Sequence, residues 1–130
     1  MSDQLHVELV SADRVVWSGE ATEVSARTVE GDLGVLRGHT PLLSLLAPSV
    51  VSIAAVGGST VVASVDGGFI SVANDRVSIL SERALLGQEI DAAQARADLE
   101  AARAAAGSSA EFDADVHRAQ ALVDAAAKAS

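Results

Sequence analysis

The chain has 130 residues and a formal net charge of −9, with nine Lys and Arg against eighteen Asp and Glu. A nucleic-acid binder neutralises phosphates with a basic patch; no three basic residues cluster here, so nucleic acid is set aside, and the same acidity opposes anionic lipid headgroups. The absence of cysteine excludes disulfides and thiolate metal sites.

No apolar run approaches the ~18 residues of a membrane span. Met1-Ser-Asp-Gln4 lacks the charged and apolar regions of a signal peptide. The sequence therefore reads as a soluble, acidic, cytoplasmic protein without direct lipid insertion. Hydrophobic residues make up 49%, yet only Trp17, Phe69 and Phe112 are aromatic, so the core is built from Val, Leu, Ile and Ala. A unit of under ~90 residues built this way is marginal alone, and a permanent partner is expected.

Short strands come first. Leu5, Val7 and Leu9 alternate with His6 and Glu8, and the same period recurs in Val51, Ile53 and Ala55, in Ile70 with Val72, and in Val77 with Ile79. Gly57-Gly58-Ser59, Asp66-Gly67-Gly68 and Asn74-Asp75 mark turns between them. Fifteen of the 17 valines and eight of the ten glycines lie within residues 1–80, a composition suited to strands and tight turns. This spacing predicts a sandwich or barrel rather than βαβ units.

Residues 81–130 hold 18 of the 26 alanines, which favours helix. Ile90, Ala93, Ala97, Ala101 and Ala104 form one stripe with Leu99 beside it; Phe112, Val116, Ala119, Val123 and Ala126 form a second at near-heptad spacing. Gly107-Ser108-Ser109 separates them. Ser108 with Glu111, and Asp91 with Gln94, are expected to cap the two helices. Arg96/Glu100, Asp115/Arg118 and Asp124/Lys128 are spaced for surface ion pairs. The expected architecture is a β-sandwich over residues 1–86 followed by an antiparallel helical hairpin over 87–130. Alanine stripes bury little area, so the hairpin should be loosely held and detachable.

Chemistry is hard to find. His6, His39 and His117 fall on a strand, a loop and a helix, whereas a metal needs converging ligands. Ser11, Ser18 and Ser44 have no neighbouring base to activate them. No catalytic residue, cofactor or metal is expected. The segment Glu30 to His39 is glycine-rich but lacks the Gly-Lys-Ser/Thr ending of a P-loop and the spacing of a dinucleotide fingerprint. Its glycines suit tight turns between strands, and periodicity alone leaves the function open.

The same residues resemble a family. Gly31-Asp-Leu-Gly-Val-Leu-Arg-Gly-His-Thr-Pro-Leu-Leu43 is similar to the signature GE(F/L)GILPGHAPLL of the epsilon subunit of F-type, proton-translocating ATP synthases. Asp66-Gly-Gly-Phe-Ile-Ser-Val72 is similar to SGGFLEV and Arg76-Val-Ser-Ile-Leu80 to VTVLA. Trp17-Ser18-Gly19 and Gln88-Glu-Ile-Asp91 fall at corresponding places. These matches run in register from about residue 5 to 100.

The resemblance implies a non-catalytic central-stalk subunit, peripheral on the cytoplasmic side of the cell membrane. It implies that the sandwich binds the gamma subunit and rests on the c-ring, coupling proton translocation to ATP synthesis. Where the helices are mobile, they extend along gamma, reach the catalytic beta subunit and restrain ATP hydrolysis. By match to the motif, the loop from Glu30 to His39 should face the c-ring, with Glu30, Asp32, Arg37 and His39 as partner-binding residues. Turn residues that are merely solvated are the alternative. Arg37 stands where the family has Pro, which puts the local loop shape in doubt. Trp17 and Phe69 are expected in the core, or at the edge of the gamma interface.

Two family features are altered. The nucleotide motif Ile/Leu-Asp-x-x-Arg-Ala becomes Ile90-Asp-Ala-Ala-Gln94-Ala95, without the cation. From residue 111 to 130, Arg118 and Lys128 face Glu111, Asp113, Asp115 and Asp124, so repulsion opposes docking on an acidic segment of the beta subunit. Competing readings are a nucleotide-sensing regulatory domain and a stand-alone β-sandwich adaptor.

Overall fold

Alternation along the strands decides which residues meet in the core of the computed structural model, which describes residues 4–106 and 113–129. On β1 (Leu5–Val10), Leu5, Val7 and Leu9 are fully buried while His6 and Glu8 are half-exposed. The remaining strands are β2 (Val15–Thr28), β3 (Gly31–Leu36), β4 (Leu42–Leu45), β5 (Ser49–Ala55), β6 (Thr60–Val65), β7 (Phe69–Ala73), β8 (Arg76–Leu80) and β9 (Ala84–Leu86). A 3₁₀ turn, Gly87–Glu89, leads to α1 (Ala92–Ala106) and α2 (Asp113–Ala129).

The nine strands hydrogen-bond in the order β4-β7-β8-β1-β2-β5-β6-β9, with β3 also on β2. Among the described strands only the β1–β8 pair is parallel. The long strand β2 belongs to both layers of the sandwich. Its first half pairs with β1, and beyond a bulge between Ala21 and Glu23 its second half pairs with β5 and β3. An extra residue on one strand bends it and tightens its twist, which carries β2 from one layer to the other. Val24, Val35, Val51, Ile53, Ile70, Val77 and Ile79 fill the space between the layers.

Turn chemistry follows the expected sites. Asn74 (φ 51°) and Asp75 (φ 62°) make the two-residue connection between β7 and β8, and these residue types tolerate the left-handed region best after glycine.

The helices form a hairpin, with α2 lying on β5, β6 and the 3₁₀ turn, and α1 on α2. That cover explains why Val62–Val65 are buried without alternation: Ala63 and Val65 face the core, and Val62 and Ser64 lie beneath α2. Gly87 is where the helix comes closest. A Cβ there would strike the Ala125 carbonyl oxygen and stand 2.6 Å from Ala129 Cβ.

Several expectations are corrected. On α1 the buried residues are Ala95, Leu99 and Ala106, while Ala93, Ala97, Ala101 and Ala104 are exposed. Alanine on every side gives no contrast, and Leu99, the one large apolar residue, selects the buried face. On α2, Ala119 and Ala126 are buried as expected, and Ala121 and Ala125 add a second covered row because the helix is sandwiched. Phe69 is not in the core; it is 40% exposed, since Ile70 and Val72 take the inward positions of β7. Trp17 is partly buried against the core. Asp115 pairs with Arg118 at 2.5 Å, whereas Asp124 accepts from Gln120 Nε2 at 2.9 Å. The Ser108/Glu111 cap lies outside the described residues.

Candidate partner-docking surfaces

The four candidate binding residues do not share a loop. Glu30 sits in the turn between β2 and β3, where Thr28 Oγ1 accepts from Glu30 N at 3.1 Å and donates to Gly31 O at 2.9 Å. Asp32 is on β3 itself, opposite Arg27, whose Nε donates to its carboxylate at 3.0 Å. Arg37 and His39 lie at the other end of the strand, about 20 Å away at ~3.4 Å per residue. There Gly38 N donates to Asp75 Oδ1 at 2.7 Å, and His39 Nδ1 donates to Thr40 O at 2.7 Å. The segment read as a loop is a strand with a functional candidate at each end. Glycines at 31 and 34 hid its alternation, although Leu33 and Val35 carry it.

A larger feature escaped the sequence reading. Strand register aligns Leu45 with Phe69, Phe69 with Leu80, and Leu80 with Val10. These form one apolar row across β4, β7, β8 and β1 on the outer face of the first layer. Leu45 is 61% exposed and Leu43, beside it on β4, is 72% exposed. Val29, also exposed, joins this end because its N–H bonds Leu45 O at 3.0 Å. Contiguous exposed apolar patches of this kind are candidate interaction surfaces. Its only sequence signal was Leu42-Leu43-Ser44-Leu45-Leu46, apolar on both faces of a strand.

A charged cluster borders the row. His6 Nδ1 lies 3.0 Å from Glu20 Oε1 and Nε2 lies 3.4 Å from Glu8 Oε1. Only the imidazolium can donate from both nitrogens, so these carboxylates, Glu20 foremost, raise the His6 pKa.

Among the described residues, two ion pairs join the sandwich to the C-terminal elements. Arg14, in the β1–β2 turn, reaches Glu89 at 2.6 Å, and Glu89 also accepts from Leu86 N at 2.9 Å. Arg14 is the main cause, and the Leu86 N–H the next, that holds the Glu89 carboxyl below its ordinary pKa. Arg118 on α2 meets Asp66 and Asp115, each at 2.5 Å. Asp91 caps α1 by accepting from Gln94 N at 3.0 Å, but the Gln94 side chain donates to Asp98 instead of completing a capping box. The groove between α2 and the sheet, about 1170 Å³, mixes Arg27, Asp32, His117, Asp124 and Lys128. No described helix is long and apolar enough to cross a membrane.

A two-layer sandwich with an apolar outer row and a helical hairpin on its opposite layer defines the class, a β-sandwich with a C-terminal helical appendage. The family model "ATP synthase, Delta/Epsilon chain, beta-sandwich domain" matches residues 4–87. The chain is 55% identical over 116 residues to the ATP synthase epsilon chain of Streptomyces avermitilis, covering 89% of this chain and 94% of that one. It is 49% identical over 129 residues to the epsilon chain of Thermobifida fusca, covering 97% and 94%. A chain of the Euglena gracilis mitochondrial ATP synthase OSCP/F1/c-ring structure superposes with a TM-score of 0.84 at 26% identity, covering 98% and 83%. The protein belongs to the ATP synthase epsilon chain family and is a subunit of the F-type ATP synthase.

Proposed function

We propose that this chain is the non-catalytic central-stalk subunit that links gamma to the c-ring, couples proton translocation to ATP synthesis, and sits peripherally on the cytoplasmic side of the membrane. The observation that carries this reading is the apolar row Leu45, Phe69, Leu80 and Val10, of which the first three are exposed large hydrophobics aligned side by side. Gamma is its proposed occupant. Arg37 and His39 flank that layer through the Gly38–Asp75 contact and belong to the rim of the gamma interface. Glu30 and Asp32, on the turn that follows Val29 beside the Leu45 edge of the row, are the residues proposed to meet the c-ring.

The test is a binding measurement between gamma and the full chain. Leu45→Glu with Phe69→Glu places two charges in a desolvated contact and should weaken binding more than tenfold, with the β circular dichroism unchanged. Undiminished binding by this double variant contradicts the assignment of the row.

A further inference from the structure

Resting on the central-stalk reading for the identity of the partner, we propose that the outer face of the first layer is a two-zone interface, an apolar row beside an ionic cluster of Glu20, His6, Glu8 and Arg76, and that gamma docks on the cluster in its charge-balanced form. Docking then takes up a proton at His6.

Strand register places both zones on one surface. The alternation that buries Leu5, Val7 and Leu9 turns His6, Glu8 and Val10 outward on β1. Val10 begins the apolar row. Glu8 stands in the next row with Ser18 on β2, Ser78 on β8 and Ser71 on β7, and that row ends on exposed Leu43. His6 stands one row further, between Glu20 on β2 and Arg76 on β8. Rows two residues apart along a strand are separated by about 7 Å, so the cluster ends about 14 Å from the apolar row. A standard interface covers roughly 800 Å² of each partner, a patch about 28 Å wide. A partner seated on the row therefore extends over the cluster.

Glu20 and Glu8 approach different nitrogens of the His6 ring, at 3.0 and 3.4 Å. Among the described residues the charged groups that face the ring are Glu8 on β1 itself, Glu20 on β2 and Arg76 on β8. With the imidazolium, two carboxylates meet two cations and the cluster is neutral. With the neutral ring, one N–H serves two acceptors, and one carboxylate is left without its partner. Water tolerates either state, because the side chains of His6, Glu8 and Glu20 are 36%, 46% and 47% exposed. A covering partner removes that tolerance. An unpaired carboxylate is costly to take out of water, whereas a paired and hydrogen-bonded one is much less so. The carboxylates already favour the protonated ring in the free chain, with Arg76 opposing them, and charge interactions strengthen as water is excluded. Docking and protonation of His6 thus favour one another.

Calorimetry of gamma binding to the full chain, in phosphate and in Tris at about pH 7.5, counts the protons exchanged, because the two buffers differ in heat of ionisation. The parent should take up more protons than His6→Gln, and its dissociation constant should be about threefold or more lower at about pH 6 than at about pH 8. His6→Gln and Glu20→Gln, each with unchanged β circular dichroism, should both lose the extra uptake. Groups on gamma titrate alike in all three complexes, so the difference belongs to the cluster. Equal uptake by parent and His6→Gln overturns the proposal. So does proton release by the parent relative to the variants, the sign expected if a partner cation displaced the imidazolium. Leu45→Glu with Phe69→Glu separates the two readings. Weakened binding by that double variant, with a parent no more pH-dependent than His6→Gln, overturns the proton link and leaves the row standing. Failure of the parent to bind gamma at any pH overturns both.

Discussion

His6 shows how one residue links local geometry to pH. Its folded pKa is raised above the ordinary value of 6.5, chiefly by Glu20 and then by Glu8. The protonated form is therefore favoured in the fold. Its stabilisation is fully present below the unfolded pKa and is lost as pH rises through the raised folded one. Thermal melts of the parent and of His6→Gln should differ at acidic pH and converge at alkaline pH. A difference that persists or grows on the alkaline side contradicts the assignment. Gln94 carries the second residue-scale expectation. A charge-assisted phosphate contact exceeds a neutral one by roughly 1–2 kcal/mol, and the Gln94 amide is already engaged by Asp98. Calorimetry at millimolar ATP should show little binding, and a micromolar dissociation constant would be the contrary result.

At the scale of elements, α2 is the decisive helix because it touches both α1 and the sheet. Gly87→Ala should lift its C-terminal end, since the new methyl meets the backbone oxygen of Ala125 rather than a side chain that could turn away. Overpacking of this kind costs about 1–3 kcal/mol. Faster amide exchange in residues 119–129 with unchanged exchange in β1 and β8 is the expected reading, and unaltered exchange in α2 would contradict the close seat. The same helix shows what sequence could and could not convey. The row Val116, Ala119, Val123, Ala126 was legible from its spacing. The second row, Ala121 and Ala125, was not, because nothing local states that the sheet lies on its other side. On α1 uniform alanine left the buried face undetermined. Strands fared better where one face is polar, as in β1. They were opaque where both faces are apolar, as in β4, and there the exposed apolar row lay hidden.

For the whole molecule, residues 1–86 are proposed as a unit that folds alone and 87–130 as its appendage, consistent with α1 packing on α2 rather than on the sandwich. A fragment ending at Leu86 should retain β circular dichroism and gamma binding; an unfolded fragment would contradict that division. Deleting residues 87–130 should raise ATP hydrolysis by no more than severalfold, because exposed ion pairs contribute about 0–1 kcal/mol each and α2 carries more acidic than basic residues. The central claim is that the outer row faces gamma while the Val29–Asp32 turn faces the c-ring. It is tested most directly by cross-linking in purified ATP synthase, with the sole cysteine at Leu45→Cys or at Glu30→Cys carrying a photoreactive maleimide. The account expects Leu45→Cys to capture gamma and Glu30→Cys to capture the c subunit. Capture of neither, or of the same subunit by both, would contradict it.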